Sequence, residues 1–299
     1  MNLSIITPIY NEKDKIKDYL ERMRKQTVQP EIVIVDGGST DGTVEIIKEY
    51  QKKMLNLKLY FETGKYRSPA NARNIGVKKA KGEIVFIADV DIVFEKDFVK
   101  KIVKEFEKHK NFKIIRFKLK PYSLKEFKSR IQEAYYWRNI SHIHSGGVIY
   151  VFKKEIQPMQ DPSLGYGEDR LVQKEIIKLI KKYSFFESKN ELRLIVYGPN
   201  NLREVWKRYK WYSRTMMFYY KKSHDRVRLL KTILAVLSIP FFPLIVFPML
   251  RDLFYSIKII KKYPQGVLII PLLEAITMPA MAVGFWEYVL GKSKEHRGH

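Results

Sequence analysis

Cysteine is absent from all 299 residues. That excludes disulfides, thiolate nucleophiles and cysteine-ligated zinc. Acids are scarce: 32 Asp and Glu stand against 56 Lys and Arg, a net charge of +24. A chain this basic has nucleic acid, an anionic membrane face or phosphorylated molecules as its natural partners. Much of the lysine sits at 96–110 and 174–182, in helical stretches where it makes a solvated face. No RNA- or DNA-binding motif is present, and aromatics do not interleave with lysines on a pair of strands, so no nucleic acid is expected. Internal repeats and low-complexity linkers are missing too. The chain enters an apolar run at Leu3 with no basic region or cleavage site before it, so no signal peptide is expected. Lysine, glutamate and isoleucine richness without cysteine points to a thermophilic source.

What is present is a strand–helix alternation over residues 1–115. Apolar runs at 3–7, 31–35, 57–61 and 84–88 read as strands, and helical spacing covers 12–26, 44–50, 70–80 and 96–108. Repeated strand–helix units imply an α/β fold with a doubly wound, mostly parallel sheet. Ligands in such sheets sit beyond the carboxyl ends of the strands. The turns at 8–11, 36–41 and 89–91 all fall there and converge on one edge. From 112 to 200 the pattern is mixed: a strand near 112–119, a helix near 124–137, a glycine-punctuated stretch at 144–152, and a helix at 170–182.

The run Ile84-Val85-Phe86-Ile87-Ala88 stops at Asp89-Val90-Asp91. At a strand end turning into a loop, two carboxylates one residue apart can reach one small site. Such a pair suits Mg²⁺ or Mn²⁺ holding a phosphorylated ligand. Two solvated turn aspartates would give the same pattern.

The character changes after residue 228. Segment 229–250 has only Lys231 charged, and 266–290 only Glu274 and Glu287. Both are long enough for a hydrocarbon core of ~30 Å. The cations of the connector, Arg251, Lys258, Lys261 and Lys262, run against a spanning hairpin by the positive-inside tendency. Pro240, Pro243, Pro248, Pro271 and Pro279 would also kink any helix. Spanning, re-entrant and in-plane helices at the cytoplasmic face all stay open. The expectation is a membrane-attached protein whose catalytic domain, 1–215, lies on the cytoplasmic side of a membrane-associated region, 216–299.

Five motifs now stand in order: Pro8-Ile9-Tyr10-Asn11-Glu12, Asp36-Gly37-Gly38-Ser39-Thr40-Asp41-Gly42-Thr43, Ala72-Arg73-Asn74-Ile75-Gly76, Asp89-Val90-Asp91 and Gly167-Glu168-Asp169. In this order they resemble the family 2 glycosyltransferases, over about residues 1–215. The resemblance implies the GT-A fold, a nucleotide-diphospho-sugar donor (UDP- or GDP-linked), Mn²⁺ or Mg²⁺, and inversion at the anomeric carbon. It implies that Pro8, Tyr10, Glu12, Asp36, Arg73 and Asp89 bind the donor, with Asp91 and Asp89 on the metal. By position in the motif, Asp169 is the general base and Glu168 orients the acceptor. Each residue also has a structural reading: Asp36 as a turn aspartate, Glu12 as a helix start, Arg73 in an ion pair, Glu168 and Asp169 as first-turn acids. The chain departs from the family's pattern at Gly37 and Ile92, where relatives carry acids. His142 or His144 could add a metal ligand or pack as an ordinary histidine.

Trp206, Arg208, Trp211 and Arg214 fall where relatives carry a Trp/Arg/Tyr-rich segment, and suit acceptor or phosphate contacts and membrane lipids. Their order differs from that of processive synthases, and two hydrophobic segments are too few for a polymer channel. The reading is transfer of a single sugar to a hydroxyl of a lipid-linked oligosaccharide or glycolipid. The alternatives are a polyprenyl- or dolichyl-phosphate sugar synthase, which needs no base, and a non-catalytic basic membrane-binding protein with a vestigial fold.

Overall fold

The computed structural model describes residues 1–118, 129–135, 148–164, 168–192, 194–196, 198–223, 230 and 266–291. The chain divides into two compact units, 1–122 with 146–196, and 123–145 with 197–297.

The first unit is built on a seven-stranded sheet. Its elements are β1 (Leu3–Ile9), α1 (Lys13–Arg24), β2 (Glu31–Asp36), α2 (Thr43–Gln51), β3 (Leu57–Phe61), α3 (Pro69–Lys79) and β4 (Ile84–Ile87). Then come β5 (Ile92–Phe94), α4 (Phe98–Lys108), β6 (Ile114–Lys118), β7 (Val148–Lys153), α5 (Glu168–Tyr183), β8 (Phe186–Glu187) and β9 (Leu194–Val196). The strand order is β3-β2-β1-β4-β7-β6-β8. Strands β3, β2, β1 and β4 are parallel neighbours, whereas β7 runs antiparallel to both β4 and β6. Strands β5 and β9 form a separate antiparallel ribbon.

Both faces of the sheet are covered, which is why the central strands read as unbroken apolar runs. Ile5, Ile9, Ile32 and Ile34 pack with Ile16, Tyr19 and Leu20 of α1 and Phe98, Ile102 and Phe106 of α4. Ile6, Val33, Val35 and Val85 pack with Ala72 and Val77 of α3. Helix α3 lies close on β1 because of Gly76: a Cβ there would stand 2.2 Å from Ile6 Cγ2. Pro8 is tolerated in β1 because the pairing with β4 ends at Ile6, whose carbonyl accepts the last N–H, from Ala88.

In the second unit, α6 (Leu202–Ser223) and α7 (Gly266–Val289) pack along one another, with Val205, Tyr209, Leu273 and Ala280 buried. At Gly284 the two backbones meet: an added Cβ would run into the Lys210 carbonyl oxygen. Of the two segments read as membrane helices, 229–250 lies almost wholly outside the described residues. Segment 266–290 is α7, which the prolines do not interrupt. Among the described residues no helix is long and apolar enough to cross a membrane.

Candidate active site

The β1–α1 and β2–α2 turns are laced together at the carboxyl edge. Asn11, held at φ 54°, donates its N–H to Ser39 Oγ at 2.8 Å and accepts the Thr40 N–H on Oδ1 at 2.9 Å. Glu12 donates its N–H to Thr43 Oγ1 at 2.9 Å. Asp41 accepts the N–H of Lys13 and both the N–H and O–H of Thr43. Burial pushes the Asp41 carboxyl up, but these hydrogen bonds outweigh it and hold the group below its ordinary value.

Asp36 ends β2 almost fully buried. Its Oδ2 accepts the N–H groups of Gly38 and Ser39 at 2.8 and 3.0 Å, and its Oδ1 accepts the Ser39 hydroxyl. The turn-building role open to this residue is therefore in use. Glu12 occupies the N-cap position of α1 and its carboxylate pairs with Lys15 at 2.8 Å. Tyr10 and Pro8 stand at the same edge, both half-buried.

Beneath the edge, the buried Tyr19 hydroxyl meets Thr7 Oγ1 at 2.5 Å, tying α1 to β1. Burial raises its pKa well above the ordinary value, against the Thr7 hydrogen bond, and the Asp89 charge adds to the rise.

The turn between β4 and β5 carries Asp89-Val90-Asp91, closed by the Ile92 N–H donating to the Asp89 carbonyl at 3.2 Å. Asp89 is 53% exposed and accepts Arg73 Nη2 on Oδ1 at 3.0 Å; the Arg73 side chain is only 14% exposed. Asp91 is half-buried next to β5. Arg73 is thus placed beside the acidic turn, as a donor-phosphate ligand would need to be, and also makes the ion pair that the sequence left open. Among the described residues no three or more His, Asp and Glu gather as metal ligands. Two hard carboxylates flanking one residue fit Mg²⁺ or Mn²⁺, which take one or two protein oxygens and leave the remaining positions to water and phosphate.

Glu168 and Asp169 open α5, the helix-start position their structural reading named. His142 and His144 lie outside the described residues. Trp206, Arg208, Trp211 and Arg214 all sit on α6, in the second unit. Trp211 is buried and Trp206 packs in the core of that unit. Arg208 Nη1 reaches the Tyr135 hydroxyl at 3.5 Å, with the guanidinium 5.6 Å from the Tyr135 ring centre. Arg214 lies 3.9 Å from Glu287, which pairs with Lys210 at 2.6 Å. Trp206, Arg208 and Arg214 thus join elements within that unit, a role the sequence reading did not give them.

Sequence reading missed Glu62. It is buried directly after β3, and its Oε1 accepts the Ser68 N–H at 2.7 Å and Asn71 Nδ2 at 2.9 Å. A Cβ at Gly37 would meet Glu62 Oε2 at 3.3 Å. An aspartate at 37 would set a second carboxylate against this one, a physical reason for Gly37. The signal was available: an acid ends or follows β2, β3 and β4 alike.

The model of Glycosyl transferase family 2 matches residues 4–156, just over half of the chain, so the chain belongs to that family. It is 34% identical over 112 residues to the poly(ribitol-phosphate) beta-N-acetylglucosaminyltransferase TarS of Staphylococcus aureus, covering 36% of this chain and 19% of that protein. It is 37% identical over 113 residues to a dolichyl N-acetyl-alpha-D-glucosaminyl phosphate 3-beta-D-2,3-diacetamido-2,3-dideoxy-beta-D-glucuronosyltransferase of Methanococcus voltae, covering 36% of this chain and 35% of that one. The matched stretches are therefore a minority of these relatives' lengths. The fold is that of the mannosyltransferase PcManGT of Pyrobaculum calidifontis, with TM-score 0.55, 16% identity and coverage of 98% of this chain and 88% of that one. The mostly parallel sheet with its one reversed strand is thus a GT-A-like fold.

Proposed function

We propose that the chain transfers a single sugar from a nucleotide-diphospho-sugar to a hydroxyl of a lipid-linked acceptor, with inversion at the anomeric carbon. The observation that carries this is the Asp89-Val90-Asp91 turn, whose exposed Asp89 pairs with Arg73 at the carboxyl edge of the sheet, in a member of this family. The PcManGT structure was determined with GDP-Man and Mn²⁺, and the Methanococcus relative is named for a dolichyl-linked acceptor, which supports donor and acceptor classes.

Asp91 and Asp89 would hold Mn²⁺ or Mg²⁺. When bound, the cation supplies charge neutralisation to the departing diphosphate. Arg73 adds a fixed positive charge at the same place. The acceptor oxygen forms its bond to the anomeric carbon on the face opposite the diphosphate. The bond from that carbon to the diphosphate oxygen breaks, and its electron pair leaves with the nucleoside diphosphate. The hydroxyl proton goes to Asp169, the general base by its place in the Gly-Glu-Asp motif, with Glu168 orienting the acceptor.

We also read the C-terminal region as the membrane attachment, with the first unit at the cytoplasmic face. The apolar stretch 229–250, the net charge of +24 and the exposed Leu272, Val283 and Trp286, which share one face of α7, support this.

The test is a thermal-shift series with UDP, GDP and their sugar conjugates, with and without Mn²⁺. A ligand that binds only the folded state raises the melting temperature. A metal-dependent rise with one nucleotide is the expected result. Folded protein that responds to none of them would refute the donor assignment.

A further inference from the structure

Eighty-six residues beyond Asn74, the backbone at Gln160 is fastened to α3 from two sides. Asn74 Nδ2 donates to the Gln160 carbonyl at 2.7 Å, and the Gln160 N–H donates back to Asn74 Oδ1 at 2.8 Å. The Gln160 side chain then turns to the neighbouring residue, where its Oε1 accepts Arg73 Nη1 at 3.1 Å. Two residues on, the Pro162 carbonyl accepts the hydroxyl of Ser68, the residue that caps α3. The turn that follows is closed by Asp161, which accepts the N–H and O–H of Ser163 on its side chain and the Leu164 N–H on its carbonyl. Leu164 is buried. Only four positions later comes Glu168, the first residue of α5.

One short segment is therefore bonded at one end to the cation that faces Asp89 and leads at the other into the Gly-Glu-Asp motif. Four residues span at most about 14 Å, so anchoring Leu164 limits where the start of α5 can stand. The fastening uses one amide as both donor and acceptor to the same backbone residue, which fixes both direction and register. A loop held only by apolar packing would not need it.

We propose that Asn74 and Gln160 are positioning residues that couple the two halves of the reaction. Gln160 orients Arg73 toward the leaving diphosphate, and the Asn74 clamp holds the 160–164 segment so that the base motif meets the acceptor. The proposal rests on the reading of Asp169 as the general base. The two residues make separable contributions, because the Asn74 clamp engages only backbone atoms of Gln160 and survives replacement of its side chain.

The experiment compares Asn74→Ala, Gln160→Ala and Gln160→Glu in the full chain. The measurements are affinity for UDP and GDP with Mn²⁺, and release of nucleoside diphosphate from UDP-GlcNAc and GDP-mannose with water as acceptor. Misplacement of a catalytic group by about 1 Å costs on the order of 10²-fold. Asn74→Ala is expected to lower kcat by roughly tenfold to 10²-fold with nucleotide affinity changed less than about threefold. Gln160→Ala is expected to raise KM and the nucleotide Kd with a smaller change in kcat, and Gln160→Glu, which keeps an acceptor for Arg73, to restore the affinity. Equal loss of affinity and kcat in Asn74→Ala, in step with a lowered melting temperature, would reduce the clamp to ordinary structural support and overturn the proposal. Unchanged kinetics in all three would overturn it as well. Wild-type protein that binds no nucleotide would instead bring down the functional reading, and the proposal with it.

Discussion

The turn after β2 and the turn after β4 flank β1 at the same edge and each carries two aspartates, but the side chains are used differently. Asp36 and Asp41 turn theirs to the laced turns themselves: between them they accept four N–H groups and two hydroxyls. Asp89 reaches outward, half exposed, to a guanidinium from another helix. The physical difference is satisfaction. A carboxylate saturated by backbone N–H groups shapes the rim of a site, while one facing solvent and paired with a single guanidinium can change partners when a ligand arrives. The same residue type at the ends of neighbouring strands therefore builds the site in one turn and serves it in the other.

The largest expected effect sharpens this contrast from the serving side. Asp91→Ala should cut release of nucleoside diphosphate from the donor by about 10²–10³-fold, the scale on which removal of one electrostatic contact to a transition state is felt. It should also abolish the Mn²⁺ dependence of nucleotide binding, measured by titration calorimetry. Retained metal-dependent binding would place Asp91 with the loop-building acids.

On the building side, Asp36→Ala strips the acceptor from two N–H groups and one hydroxyl at a nearly buried position. Unsatisfied donors of this kind cost about 1–3 kcal/mol each, and partial hydration of an opened turn would reduce the sum to about 2–4 kcal/mol. Asp89→Ala, at an exposed position, should cost less than about 1 kcal/mol. Urea midpoints of the two variants make the comparison directly. Equal losses would mean that both turns are structural.

Gly76→Ala tests whether the position of Arg73 depends on the seat of α3. The new methyl would collide with Ile6, in a core that covers both faces of β1. Overpacking of this kind costs about 1–3 kcal/mol. Since Arg73 lies one turn earlier on the same helix, donor KM should rise along with the loss in stability. A destabilised variant with unchanged KM would show that the Asp89 and Gln160 contacts hold Arg73 independently of the helix.

The edge itself was legible because three apolar runs end in polar turns, and a parallel sheet brings such ends together. Direction was not: Val148–Lys153 is as apolar as its neighbours, and nothing in such a run says that it enters the sheet reversed. The segment around Trp206–Arg214 carries two signals at once. Its aromatic and cationic residues match a binding patch in composition, yet Val205, Tyr209 and Tyr212 recur at helical spacing and mark the packed side of α6. That periodicity was readable. The link from Asn74 to Gln160 was not, since single amides far apart in sequence carry no pattern until the chain is folded.

The smallest effect concerns what the Asp41 charge contributes to the laced turns. Its carboxyl sits below the ordinary value of 3.8 in the folded chain because the Lys13 and Thr43 hydrogen bonds outweigh burial. A group that holds its proton less tightly when folded stabilises the fold above its unfolded pKa, and that contribution disappears as pH falls through the depressed folded value. Asp41→Asn keeps the shape but removes the charge, and its amide turns a donor toward one of the two N–H groups. The variant should therefore be less stable than the wild type at pH 7, with the gap in urea midpoint closing between pH 5 and pH 3. A gap that stayed constant over that range would mean that the geometry of the acceptor, and not its charge, ties the two turns together. Asp41 would then be a weaker instance of the loop-building class than Asp36, and the division between the turns would rest on satisfied hydrogen bonds alone.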